Sequence, residues 1–175
     1  MKLAWRLILL VALLAMGLWL WSVFFPSPQK AIRRHLEKTA RLASFKANEG
    51  AMERLGNIAE LAKCFSKDVE VKFETPGGGS LTLAGRDDIL RAAGLARTSG
   101  SALQVEFLDA ILTVSPDQQT AAVDLTVRAR IPGDRDFFVQ EMKFQLKKIG
   151  RAWLIIHAET VKTLSAATNT NPVNE

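Results

Sequence analysis

A run of 19 uncharged residues near the N-terminus, from Leu7 to Phe25, restricts the fold of this chain more than any other feature. At about 1.5 Å per residue, a helix of that length spans about 28 Å, close to the hydrocarbon thickness of a bilayer. Tryptophans stand near the ends of the run, where amphipathic rings favour the membrane interface. The pattern predicts an uncleaved transmembrane signal-anchor helix over residues 1–25, with membrane lipid as its partner. The residues expected to contact lipid include Leu7, Leu10, Leu14, Leu18, Trp19, Trp21 and Phe25.

A cleaved signal peptide is the alternative interpretation, because Lys2 and Arg6 form a suitable basic n-region. The apolar region of a signal peptide is usually about 7–15 residues long and precedes small residues at the cleavage site. This run is longer and no A-x-A pattern follows it, so we expect it to remain. Lys2 and Arg6 favour a cytoplasmic N-terminus. The basic residues of 30–38 favour the opposite orientation, but they fall in a segment with the periodicity of a folded domain. We therefore expect a single-pass membrane protein with an extracytoplasmic, periplasmic domain.

Charge and cysteine content exclude several kinds of site. The chain has 23 Lys and Arg against 18 Asp and Glu, a net charge of +5, which is too small to predict a nucleic-acid partner. Its single cysteine, Cys64, excludes an intramolecular disulfide and a multi-cysteine metal site. The two histidines lie far apart in sequence and give no metal-ligand spacing. We expect no bound metal and no cofactor.

Residues 26–29 contain two prolines and predict a linker, after which two segments have helical periodicity. The first is amphipathic and has His35 on its polar side, which predicts a surface histidine. A second helix is predicted from about residue 51 to 65. A third, shorter helix is expected to open within the segment 85–88, because an aspartate cap satisfies free N–H groups and suits the positive end of the helix dipole. The second helix is expected to bury Met52, Leu55, Ile58, Ala59 and Ala62.

The remaining segments alternate with a period of two, which is typical of strands. The segment 103–114 changes phase midway, which predicts a β-bulge. The resulting order of elements is α-α-β-β-α-β-β-β-β. It predicts an α+β domain, with a curved, mostly antiparallel sheet of about six strands and three helices packed on its concave side. We place this domain at residues 30–164 and a polar, flexible tail at 165–175.

Three local patterns then indicate a family. FSKDVEV at 65–71 resembles a helix-to-first-strand junction, GRDDI at 85–89 an entry to a third helix, and GRAWLIIH at 150–157 a final strand. In this order, they resemble the nuclear transport factor 2-like superfamily, also called SnoaL-like or cystatin-like. The resemblance covers about residues 30–164 and implies a cone that encloses a pocket and is often dimeric. Its isomerase-type members use a tyrosine and aspartates in that pocket, and this chain has no tyrosine.

His157 and Glu159 are the candidate acid/base pair, because they lie two residues apart on one face of the predicted last strand. A two-residue turn before that strand would place them on the apolar face of Gln140, Met142 and Phe144, which are the candidate ligand-binding residues. A three-residue turn with Gly150 in the left-handed region would place them on the wetter face. We favour the three-residue turn, because isoleucine at position 149 is a poor choice where φ is positive.

Two hypotheses of function follow. The favoured one is a membrane-anchored, non-enzymatic module that binds or scaffolds a protein partner or a small apolar ligand. Its partners would be a second copy of the chain or another envelope protein. The alternative is an isomerase, dehydratase or cyclase that uses His157 and Glu159, with Gln140 as a polar orienting group. A weaker third idea is contact between the basic residues of 30–41 and anionic lipid.

Overall fold

The computed structural model describes residues 27–75, 79–98, 101–132 and 137–165, together with Met16. Three helices and six strands make up these ranges. The helices are α1 (Pro28–Ala43), α2 (Ala51–Ala62) and α3 (Arg86–Thr98). The strands are β1 (Phe65–Glu74), β2 (Ser80–Ala84), β3 (Gln104–Val114), β4 (Thr120–Arg130), β5 (Phe137–Ile149) and β6 (Ala152–Ser165).

The six strands form one sheet in the order β2-β1-β6-β5-β4-β3. Four of the five neighbouring pairs are antiparallel, and β1 with β6 is parallel, so the sheet is mixed. The predicted order of elements and the α+β class are confirmed. The β-bulge in β3 is confirmed as well, because the register steps from Leu108 opposite Thr126 to Ile111 opposite Asp124. Asp109, inside that bulge, has a positive φ of 52°.

The core lies between one face of the sheet and the apolar stripe of α1. Ile32 and Leu36 of α1 are buried at the spacing that the sequence predicts. They pack with Val123, Leu146 and Ile155, which come from the three strands β4, β5 and β6. Burying large aliphatic side chains stabilises a domain by roughly 1.5–3 kcal/mol each. This packing therefore fixes α1 to the sheet and sets the position of the surface beside it.

The second helix departs from its predicted packing. Met52 and Leu55 were expected to be buried, but they are 83% and 65% exposed, and Ala59 is exposed as well. Ala62 is buried as predicted, and Leu61, which was not expected to be, is buried beside it. Its apolar residues cover more than one side of the helix, so periodicity alone did not identify the side that meets the domain.

A buried ion pair joins the ends of all three helices. Arg97, in the last turn of α3, is 5% exposed and its Nε lies 3.2 Å from Oε2 of Glu49, which precedes α2. Arg97 also donates to the carbonyl of Leu42 in α1 and lies 5.0 Å above the ring of Phe45. Asn57 of α2 donates to the other oxygen of Glu49 at 2.6 Å. Both charges are thus paired and hydrogen-bonded, as buried charges must be.

The predicted transmembrane helix and the flexible tail lie outside the described residues, except for Met16 and Ser165. Among the residues that are described, no helix has both the length and the apolar character needed to cross a bilayer.

Candidate functional site

A cleft of about 600 Å³ lies between α1 and β3. One wall consists of side chains that recur at helical spacing on α1, and the other comes from β3 and the neighbouring strand β4. Its volume is within the range of small-molecule sites in proteins, which is about 300–1,000 Å³. The lining residues are Arg33, Leu36, Glu37, Ala40, Arg41, Val105, Glu106, Phe107, Leu108, Ala110 and Arg128.

The deeper surface of the cleft is apolar. Leu36 and Ala40 belong to the core side of α1, and Phe107 packs edge-on against the core residue Phe144 with ring centres 5.5 Å apart. The bulge in β3 shapes the opposite wall, because its extra residue leaves part of the strand without a ladder partner. The Nη2 of Arg33 lies 3.5 Å from the Ala110 carbonyl, at the end of this bulge.

The charges of the cleft are not all neutralised within it. Arg128 is paired with Glu106 through both its Nε, at 2.9 Å, and its Nη2. Along α1, Arg33, Glu37 and Arg41 follow one another at four-residue intervals and share a face. Within the described residues, the Arg41 guanidinium forms no hydrogen bond or ion pair. The Glu37 carboxylate forms none either, so the rim holds an unpaired anion as well as the Arg41 guanidinium, which is available to an acidic group of a ligand.

The structure places His157 and Glu159 on the sheet face opposite the core. The loop before β6 has two residues, because Ile149 pairs with Ala152, so the preference for a three-residue turn is wrong. Gly150 has a positive φ of 63° there. A bulge at Ile156 then shifts the register by one residue, since Leu146 pairs with Ile155 but Gln145 with His157. The pair consequently lies beside Gln145 and Lys143, on the wetter face.

His157 stands between two carboxylates on that face. Its Nδ1 is 3.4 Å from Oε2 of Glu70, and its Nε2 is 3.5 Å from Oε2 of Glu159. Lys72 donates to Glu70 at 2.9 Å, and this hydrogen bond lowers the pKa of the Glu70 carboxyl below its ordinary value. All four side chains are at least one-fifth exposed. None of them lines the cleft beside α1, or a second cleft of about 370 Å³ between Gln104, Glu106, Arg128, Arg130 and Phe137.

The candidate ligand-binding residues of β5 are buried. Met142 and Phe144 are part of the core, and neither lines the two clefts. Gln140 is 3% exposed, and its amide nitrogen donates to the Glu74 carbonyl at 2.7 Å and to the Thr163 hydroxyl at 3.2 Å. Its amide oxygen accepts from Thr160 at 3.2 Å. Both donors of the amide and one lone pair of its oxygen are therefore engaged inside the protein.

His35 is half-buried, although the sequence predicts a surface residue. Its Nε2 lies 3.0 Å from the carbonyl oxygen of Cys64, at the junction between α2 and β1. Burial lowers the pKa of His35 below its ordinary value and outweighs the opposite effect of this hydrogen bond, and the charge of Lys38 lowers that pKa further. His35 therefore links α1 to the junction and does not line the cleft.

Metal ligation finds no support in the described ranges, where no three His, Cys, Asp or Glu side chains are grouped to hold an ion. Sequence reasoning also missed the cleft itself. The four-residue spacing of Arg33, Glu37 and Arg41 is visible in the sequence, but by itself it predicts only a solvated side of a helix. That β3 lies opposite this side depends on long-range packing, which spacing along the chain does not contain.

No protein-family model matches the sequence, and none of the curated proteins matches it. Solved structures do match. One is a nuclear transport factor 2-like protein with a cystatin-like fold from Novosphingobium aromaticivorans, at a TM-score of 0.56 and 18% identity over 84% of this chain and 86% of that one. Another is a nuclear transport factor 2-like protein of unknown function from Pseudomonas putida, at 0.58 and 12% identity over 77% and 92%. The chain has a cystatin-like fold.

A third similar solved structure is provisionally named a scytalone dehydratase, also from Novosphingobium aromaticivorans. It matches at a TM-score of 0.53 and 18% identity, over 78% of this chain and 86% of that one. At such low identity, the likeness establishes the architecture and leaves the activity to be argued from the residues of this chain.

Proposed function

We propose that the chain is a non-enzymatic binding module, and that the cleft between α1 and β3 is its binding site. The observation that carries this proposal is the pairing of an apolar wall, formed by Leu36, Ala40 and Phe107, with Arg41 at the rim. Such a combination suits a small molecule with an apolar body and one acidic group, because the apolar surface supplies affinity and the cation supplies orientation.

The position of the histidine supports binding over catalysis. A general base must come within hydrogen-bond reach of the proton that it removes from a bound substrate. His157 and Glu159 face away from the core and line neither cleft, so a ligand between α1 and β3 would not meet them. Catalysis by this pair stays a hypothesis that needs a substrate site on the outer face of the sheet.

We also propose that the module is tethered to a membrane by residues 1–25, with its domain on the extracytoplasmic side. The support is the length and uncharged composition of the run from Leu7 to Phe25. The chain continues from this run into α1, whose first residue is Pro28. The tether would therefore hold the cleft near the membrane surface.

Two water-soluble probes of matched shape test the binding site. We expect 1-naphthylacetate to bind more tightly than its uncharged amide when each is titrated calorimetrically into the full chain in lipid nanodiscs, after subtraction of empty discs. Ala110→Leu should weaken both probes, because it fills the wall of the cleft. The matched control is Ala122→Leu, the same change on the opposite face of the sheet, where Ala122 pairs with Thr113 and Gln145.

The charge at the rim is tested separately. Arg41→Gln should weaken the binding of 1-naphthylacetate about threefold to tenfold and leave the affinity for the amide unchanged. That size is expected for one partly exposed charge-assisted contact. Arg34→Gln is the control, because Arg34 is an exposed arginine of the same helix that does not line the cleft. The proposal would be contradicted if each probe bound to Ala110→Leu as tightly as to the wild-type chain.

A further inference from the structure

The strand that lines the cleft, β3, lies at the edge of the sheet. It is the last strand in the order of the sheet, and of the strands described it pairs only with β4. The free side of such a strand presents backbone N–H and C=O groups. Two positions on this side are already occupied. Phe45 exchanges two backbone hydrogen bonds with Leu103, at 2.8 and 2.9 Å. The Ser44 hydroxyl accepts from the N–H of Val105 at 2.9 Å and donates to its C=O at 3.3 Å.

The next position along this edge is open and lies in the cleft. Backbone groups of alternate residues point to the same side of a strand, and the β3 bulge begins only after Leu108. The N–H and C=O of Phe107 therefore point the same way as those of Leu103 and Val105. In the part of the chain that the structure describes, neither group of Phe107 bonds to α1 or to a loop. The cleft thus offers a free backbone donor and acceptor beside its apolar wall.

We propose that the ligand of this cleft is the C-terminal end of a peptide, bound as a short extra strand antiparallel to β3. This inference rests on the proposed function, and it names one class of the apolar, singly acidic ligands that the cleft suits. One residue of the peptide exchanges two hydrogen bonds with Phe107, as Phe45 does with Leu103. Directly opposite residues of a ladder share one face of the sheet, so the side chain of that residue points to the apolar wall at Leu36.

The direction of the peptide follows from the direction of α1. Arg33, near the start of α1, lies 3.5 Å from the Ala110 carbonyl, whereas Ser44, just after the end of α1, bonds to Val105. Helix and strand are therefore antiparallel. A peptide that is antiparallel to β3 runs in the same direction as α1 and ends beside Arg41. Its terminal carboxylate then meets the guanidinium that no other group of the described chain pairs.

The acidic groups of the cleft favour an uncharged body for this peptide. The unpaired Glu37 lies between Arg33 and Arg41 on one face of α1, so it repels an acidic side chain in the middle of the peptide. Glu106 is already paired with Arg128, through the Arg128 Nε at 2.9 Å, and does not attract a basic one. The only charge that the cleft selects is the carboxylate at the end.

An amide-to-ester scan of a short peptide tests the backbone contact. The probe is acetyl-Ala-Leu-Ala with a free carboxylate, titrated calorimetrically into the full chain in lipid nanodiscs. An ester in place of the leucine amide removes the N–H that donates to the Phe107 carbonyl, so the affinity should fall about threefold to tenfold. The same replacement at the last alanine is the matched control. Its N–H points away from β3, and the affinity should stay within about twofold. Equal effects of the two esters would overturn the inference.

The terminal carboxylate is tested with the C-terminal amide of the same peptide. The amide should bind the wild-type chain about threefold to tenfold more weakly than the acid, and Arg41→Gln should remove that difference. Arg34→Gln, an exposed arginine of α1 outside the cleft, should retain it. Equal binding of acid and amide to the wild-type chain would contradict a C-terminal ligand.

Hydrogen exchange of single amides, followed by NMR, reports on the protein side of the contact. The open N–H of Phe107 should exchange at least about tenfold more slowly with saturating peptide. The N–H groups of Glu106 and Leu108 point to β4 and should not change. Binding of the peptide without slower exchange at Phe107 would overturn the inference. If 1-naphthylacetate binds and the peptide does not, the inference fails and the proposed function stands, whereas failure of both probes overturns both.

Discussion

At the scale of single residues, His35 shows how a helix side that looks solvated can be covered by a distant part of the chain. Its neighbours Arg34 and Glu37 are exposed, and this pattern predicted exposure for His35 as well. The junction between α2 and β1 covers it instead, through the Cys64 carbonyl. No local spacing indicates that contact, because its two ends lie 29 residues apart.

The lowered pKa of His35 predicts a pH dependence of stability. Between the native pKa and the ordinary value of about 6.5, the unfolded chain binds more protons than the folded chain, so the free energy of unfolding decreases as pH falls through that window. Above about pH 6.5 this contribution is complete, and its slope is at most about 1.4 kcal/mol per pH unit. His35→Gln should remove it. Urea unfolding at several pH values between 5 and 8 measures the slope, and His157→Gln, which leaves His35 in place, should retain it. An unchanged slope in His35→Gln would refute this assignment.

At the scale of helices and strands, changes in the period of apolar residues located nearly all the elements. The period did not identify the buried side of an element that has apolar residues on both sides. The start of β6, Trp153 to Ile156, is apolar on both parities, so the bulge at Ile156 leaves no trace in the pattern. For the same reason the covered side of α2 was misjudged. The β3 bulge was predictable, because the two phases of that strand differ in hydrophobicity.

The joint between the helices gives a prediction at this scale. Arg97→Leu should lower the free energy of unfolding by about 3–5 kcal/mol, because it leaves the carboxylate of Glu49 buried without its partner. Arg91→Leu is the control on the same helix. Arg91 is 75% exposed in its pair with Asp88, so its loss should cost at most about 1 kcal/mol. Chemical unfolding of both variants measures the difference, and Glu49→Gln added to Arg97→Leu should recover part of the loss. Equal effects of the two arginine substitutions would show that the buried pair is not the joint that we describe.

At the scale of the whole molecule, the order of helices and strands was sufficient for the α+β class, whereas the parallel contact of β1 with β6 was not predictable. Those strands are far apart in the chain, and alternation within a strand does not state which neighbour it has. The cleft belongs to this scale too, because its two walls are more than 60 residues apart in sequence. The amino-acid composition does not locate such a site. The cleft is seen only once α1 is packed against β3.

The membrane tether is the prediction that concerns the chain as a whole. In a bacterial host, we expect the full chain to stay in the membrane fraction through high salt and alkaline carbonate, because a bilayer-length apolar helix is removed by neither. Leu14→Arg should release much of it, since a central arginine costs roughly 2.5–3.5 kcal/mol of insertion, whereas Leu14→Ala should not. Alkaline phosphatase fused after Glu175 should be active, as it is only outside the cytoplasm. A mature chain shortened by about 25 residues would instead identify the run as a cleaved signal peptide, and the cleft would then work without a tether.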